Sequence, residues 1–155
     1  MRGDATVVGI TDDSRAVRRG WAFLATRGTR RDGHAFVDAA VAAGASAVVV
    51  DRPVEVDVPR LQVPSVRAAA GPLAAEFFDH PSRHLSIVGV TGTNGKTTTC
   101  ELVRACIDEA GWTSGLIGTI ETRVGAWSGP SRLTTPGAVE LQRTLSAMVD
   151  SGVDA

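Results

Sequence analysis

Hydrophobic and polar positions in this chain fall into two alternating rhythms, short β-branched runs and helical spacings. Thr6 to Ile10 and Trp21 to Ala25 read as strands, separated by the polar turn Thr11 to Arg15 and by Gly20. Ala35 to Ala43 sets Phe36, Val37, Ala40 and Val41 at helical spacing and stops at Gly44, a natural C-terminal cap. Ala47 to Val50 is a strand, Asp51 to Pro59 a loop and Leu61 to Val63 a short strand. Ser65 caps a helix to Phe78, inside which Pro72 removes a backbone donor and predicts a kink or a restart. Asp79 to Ser82 then read as a linker.

The rhythm starts again after it. Leu85, Ile87, Val88 and Val90 predict a buried strand, Cys100 to Ala110 a helix closed by Gly111, and Ser114 to Ile117 a second strand, parallel to the first through a right-handed crossover. Thr122 to Arg132 reads as a loop or small hairpin, with Trp127 at its tip as a partly packed residue. Val139, Leu141, Leu145, Met148 and Val149 predict a last helix, with Thr135 as N-cap, Pro136 as first residue and Gly152 as its end. Val153 to Ala155 lead toward a further strand. This order predicts an α/β chain: a small α/β domain over residues 1–82, followed by the first part of a parallel-sheet domain over residues 83–155.

Composition narrows the picture modestly. The 155 residues are 43% hydrophobic, enough for a core, and 16 Lys plus Arg balance 17 Asp plus Glu. Net charge therefore gives no reason to expect a nucleic-acid or membrane partner. Cys100 and Cys106 have no histidine near them and read as small buried residues rather than a disulfide or metal site. With neither a signal peptide nor a run of about 18 apolar residues, the expectation is a cytoplasmic protein.

The chemistry concentrates after Val90. Gly92, Thr93, Asn94, Gly95, Lys96, Thr97 and Thr98 stand between a predicted strand and a predicted helix, the context of a phosphate cradle. Glycines let successive amides turn inward, Lys96 reaches outer phosphates, and the Thr97 hydroxyl can ligate Mg²⁺. The pattern G-x-x-x-x-G-K-[ST] is not strict: Val90 stands where its first glycine belongs, and glycines occur at 89 and 92. That shift marks a variant loop. In the first domain, the hydroxyls of Ser14 and Thr29 with Arg15, Arg30 and Arg31 could hold a diphosphate, although a basic surface loop is usually only solvated. His34 reads as a helix-start or core histidine.

The loop TGTNGKTTT resembles the ATP loop of the Mur ligases. The segments DDSRAVRRGWAFLATRG, GLIGTIETRVG and LTTPGAVELQ, in this order, extend the resemblance to the MurE type, which adds the third residue of the peptidoglycan stem peptide. The resemblance covers the chain from about Gly9 onward. It implies that ATP, with Mg²⁺ on Thr97, binds at Gly92 to Thr98, and that Lys96 is catalytic, neutralising charge on a transferred phosphoryl group. It implies UDP binding by Asp12, Ser14, Thr29, Arg30 and Arg31, where Asp12 would act through its backbone because relatives often have an apolar residue there. Thr134 and Thr135 would contact the muramoyl dipeptide, and Leu133 replaces an asparagine found in some relatives. The implied substrates are UDP-N-acetylmuramoyl-L-alanyl-D-glutamate and a diamino acid, meso-diaminopimelate before L-lysine.

No acidic residue at the end of a later apolar strand completes the Mg²⁺ site, so the expectation is an N-terminal fragment inactive by itself. Two other readings stay open. One is a different ligase sharing the loop, such as another stem-peptide ligase or a folylpolyglutamate synthase. The other is a non-catalytic nucleotide-binding module.

Overall fold

A computed structural model describes residues 5–28, 31–131 and 135–155. The chain divides into two compact units, Met1–Phe77 and Phe78–Ala155, so the turn read as a linker opens the second unit.

In the first unit, β1 (Gly9–Thr11), β2 (Trp21–Leu24), β3 (Ala47–Val50) and β4 (Arg60–Gln62) form one parallel sheet in the order β1-β2-β3-β4. Because the strands are covered on both faces, β2 and β3 are nearly continuous apolar runs, with Phe23, Leu24, Val48 and Val50 buried. The first strand lies further along than the predicted Thr6 to Ile10. Its ladder begins where β2 begins, pairing Gly9 with Trp21, and the indole lies so close that a Cβ at Gly9 would fall 2.3 Å from it. Thr11 extends the strand, buried, with its hydroxyl accepting the Asp13 amide at 3.1 Å.

The predicted Ala35 helix starts instead as a 3₁₀ turn, Gly33–Phe36, which continues into α1 (Val37–Ala42). Its start is capped by Asp32, whose carboxylate accepts the His34 amide at 3.0 Å. Helix α2 (Val66–Phe77) is capped by Ser65 and runs unbroken through Pro72. Pro72 and Ala68, whose carbonyl it leaves without its helical donor, are both exposed, while Val66, Ala70 and Ala74 are buried.

The second unit contains α3 (Lys96–Glu109), the antiparallel sheet β5 (Leu116–Ile117), β6 (Glu121–Val124) and β7 (Trp127–Pro130), and α4 (Ala138–Asp150). The predicted strand over Leu85 to Val90 is extended but joins no ladder among the described residues, and Ile87 and Val88 are 57% and 62% exposed. Nor does it pair with the segment after α3. Residues 153–155 enter between them: the Ser86 amide donates to the Asp154 carbonyl at 2.9 Å, and the Gly115 amide to the Ala155 carbonyl at 2.7 Å. Helix α4 starts two residues later than predicted, because the Leu141 amide takes the Gly137 carbonyl at 2.8 Å and makes Gly137 the N-cap in place of Thr135. Cys100 is half-buried and Cys106 exposed, since α3 buries no residue fully; both are free thiols. Trp127 is exposed in the β6–β7 hairpin.

Candidate functional site

The loop before α3 has the geometry its glycines permit. Gly95 sits at φ 78°, a left-handed value that a side chain would strain, and the helix begins at the next residue. No side chain caps this start, and the first turn closes with the Thr99 amide on the Gly95 carbonyl at 2.9 Å. The amides of Lys96, Thr97 and Thr98 precede the first α-helical donor, so they point out of the helix at its positive end. The Lys96 ammonium donates to the Gly92 carbonyl at 2.6 Å and so spans the loop, while Thr93, Asn94 and Thr98 are exposed.

A cleft of about 400 Å³ opens here. Gly92, Lys96, Thr97, Cys100 and Glu101 line one side, Leu116 to Glu121 another, and Thr135 completes it. The two predicted motifs thus meet in one cavity, and Thr135 serves it instead of capping α4. Glu101 is held by Arg104 at 3.0 Å, and Glu121 pairs with Arg123, whose hydrogen bond keeps the Glu121 carboxyl below its ordinary pKa. The cleft therefore offers oriented amides, an ammonium and threonine hydroxyls, those of Thr97 and Thr135 among them, to a polyphosphate. For Mg²⁺ the donor set fits in part: the Thr97 hydroxyl is a hard oxygen ligand, and no group of three metal-binding side chains occurs among the described residues. Phosphate oxygens and water would have to supply the rest. Thr134 lies outside the described residues.

In the first unit the candidate residues follow the carboxyl ends of adjacent parallel strands, where ligands of open α/β sheets bind. Asp12 and Ser14 come after β1, with Asp12 exposed and Ser14 opening a 3₁₀ turn. Arg31 comes after β2, exposed, with its guanidinium 6.0 Å from the centre of the Phe36 ring. Thr29 and Arg30 lie outside the described residues. Arg15 is not presented as a phosphate fork, because its Nε and Nη2 engage Asp13 at 2.9 and 2.8 Å. The Asp-x-Arg spacing in a turn was the available signal for that pair.

Sequence reasoning missed a network of charged side chains around the buried His34. His34 stands between Asp32 and Asp51, and Arg27 and Arg52 close around it. The Asp32 carboxyl is lowered to about 2, first by the His34 amide, then by the His34 ring and Arg52. The Asp-Gly-His triplet displays only its capping half.

A parallel α/β unit followed by a unit that carries a glycine-rich loop at a helix start defines the class: a two-unit α/β protein with a candidate phosphate-binding cleft in its second unit. Two family models divide the chain between them, one described as "Mur ligase family, catalytic domain" over residues 6–78 and one as "Mur ligase middle domain" over residues 90–155. The chain belongs to the Mur ligase family. It is 44% identical over 152 residues to the UDP-N-acetylmuramoyl-L-alanyl-D-glutamate--2,6-diaminopimelate ligase of Geobacillus kaustophilus, matching 98% of this chain and 31% of that protein. A solved structure of a ligase of the same name matches 95% of this chain and 30% of its own, at 28% identity and a TM-score of 0.75. The MurF ligase of Thermotoga maritima, solved in complex with ADP, matches 90% of this chain and 35% of its own, at 28% identity and a TM-score of 0.57. The chain spans about 30% of the length of the curated relatives it matches. No helix among the described residues is long and apolar enough to cross a membrane.

Proposed function

We propose that this chain supplies the UDP-binding unit and the ATP loop of a MurE-type ligase. The reaction joins a diamino acid to the glutamate side-chain carboxylate of UDP-N-acetylmuramoyl-L-alanyl-D-glutamate. Relatives named for 2,6-diaminopimelate favour that amine over lysine. The observation that carries the reading is the shared cleft: Lys96 and Thr97 of the phosphate loop lie in one cavity with Thr135 of the segment expected to hold the dipeptide. Two free thiols fit a cytoplasmic setting.

In this reading the γ-phosphoryl group of ATP passes to the glutamate carboxylate, giving an acyl phosphate and ADP. The amine then attacks the acyl carbon and expels phosphate, leaving an amide. The protein need contribute no nucleophile. The loop amides and Lys96 hold negative charge as it shifts toward the leaving oxygen, and they are oriented before the reaction begins. Thr135 fixes the acceptor within reach, converting an encounter into a positioned pair. Mg²⁺, when bound at Thr97, would neutralise phosphate charge. Asp12, Ser14, Thr29, Arg30 and Arg31 hold the UDP end at the first unit, and Thr134 joins Thr135.

The test is ATP binding by the chain, with and without Lys96→Ala. Removing a hydrogen-bonded ammonium should weaken binding by about tenfold to a hundredfold. UDP binding should stay unchanged, because it belongs to the other unit. Equal ATP affinity in the two proteins would remove the loop from the mechanism. Folate competing where UDP does not would transfer the chain to the folylpolyglutamate reading.

A further inference from the structure

The network around His34 has no task in the scheme above, and its geometry supplies one. The His34 side chain is 2% exposed. Its Nδ1 lies 2.8 Å from Asp32 Oδ1, and its Nε2 lies 3.2 Å from the Asp51 amide nitrogen. A backbone amide only donates, so this bond has Nε2 accepting and places the proton of a neutral ring on Nδ1, toward Asp32, although Asp51 Oδ1 also lies 3.3 Å from Nε2. One tautomer satisfies both bonds.

The two partners belong to different strand ends. Asp51 directly follows β3. Asp32 pairs with Arg27 across the base of a hairpin that leaves β2, where the Gly28 amide donates to the Arg31 carbonyl at 2.9 Å. The Gly33 amide donates to the Thr26 carbonyl at 2.9 Å, and a Cβ at Gly33 would fall 2.5 Å from that oxygen. Arg52 lies 2.9 Å from Asp32, and Arg27 lies 3.8 Å from Asp32 and 3.6 Å from Asp51. Two arginines are thus matched by two aspartates. The cluster is therefore a clamp of matched ion pairs and not an anion site.

We propose that His34 is a positioning residue for UDP binding. By joining Asp32 to the Asp51 amide, it fixes the Arg27–Asp32 bridge against the end of β3 and so aims Arg31 at the diphosphate. This rests on the reading of the first unit as the UDP holder.

The experiment measures UDP and ATP binding by the full chain as wild type, His34→Ala and His34→Asn, with amide exchange at Gly28 and Gly33. Loss of both ring bonds should weaken UDP binding about tenfold in His34→Ala. Asparagine, which keeps a donor toward Asp32, should recover part of the loss. ATP affinity should not move, and the Gly28 and Gly33 amides should exchange faster. A folded His34→Ala protein that binds UDP like wild type, or protects both amides equally, overturns the proposal. Failure of the wild type to bind UDP would overturn the reading of the unit, while the exchange rates would still decide the clamp. Should both variants fail to fold, nitrogen-15 shifts of the wild-type ring decide it: protonation at Nδ1 alone supports the clamp, and protonation at Nε2 alone refutes it.

Discussion

The two units treat their apolar sequence differently. In the first, β2 and β3 disappear into a core with Val37, Ala40 and Ala45. In the second, the equally apolar Ile87 and Val88 are exposed, α3 buries no residue fully, and Leu102 and Trp112 face an apolar cleft of about 450 Å³. The loop between Val88 and α3 nonetheless has its full turn, its left-handed Gly95 and its open helix start. The proposed phosphate cradle is made from neighbours in sequence, whereas the proposed UDP-binding edge is made from the ends of strands that must first find one another. The first site therefore depends on its core, and the second depends much less on the packing around it.

Truncating the core should break this contrast most sharply. Phe23 is 1% exposed, and Phe23→Ala should cost the first unit about 3–5 kcal/mol. Val88→Ala, at a site already open to solvent, should stay within about 0.5 kcal/mol. Thermal unfolding, with UDP and ATP added separately to identify each unit's transition, checks both. A comparable loss at Val88 would mean that its side chain is buried in solution.

A smaller effect is expected at Gly33. In Gly33→Ala the new methyl would press on the Thr26 carbonyl at the hairpin base, and relief requires backbone movement costing about 1–3 kcal/mol. UDP affinity and the first unit's melting temperature should fall together. An unchanged melting temperature would show that the hairpin yields freely, and would separate it from the core.

The same division explains what could be read in advance. The strands Trp21 to Leu24 and Ala47 to Val50 were legible because a strand buried on both faces is apolar at every position. The helix after the glycine loop was legible in kind but not in its start: its apolar pattern begins at Cys100, whereas the structure starts it at Lys96, directly after the left-handed Gly95. The Leu85 to Val90 segment carries a strand's composition, but pairing is settled by what lies beside it, and residues 153–155 occupy that place at its start. Thr135 and Pro136 form a good helix start by composition, and the Leu141 amide selected Gly137 instead. His34 was legible as a core or helix-start residue, but its bond to Asp51 crosses from one strand end to another, which no local pattern encodes.

Acid offers the finest test of how far the hairpin depends on its clamp. The Asp32 carboxyl is held at about 2 because its ionised form accepts the His34 amide and ring and faces Arg52. A folded value below the unfolded one means that ionised Asp32 favours the folded state. That contribution is complete above the unfolded value of about 4 and is lost as pH falls from there to about 2. Asp32→Asn should be the less stable protein at neutral pH, and its deficit relative to wild type should shrink over that window. Comparing the two proteins removes the titration of other carboxylates, which both share. The carboxylate is partly exposed, so the effect should be the smallest of the three and should weaken with salt. A difference in melting temperature that stays constant from pH 5 to below about 2 would mean that Asp32 holds the hairpin through shape alone, with its charge contributing nothing.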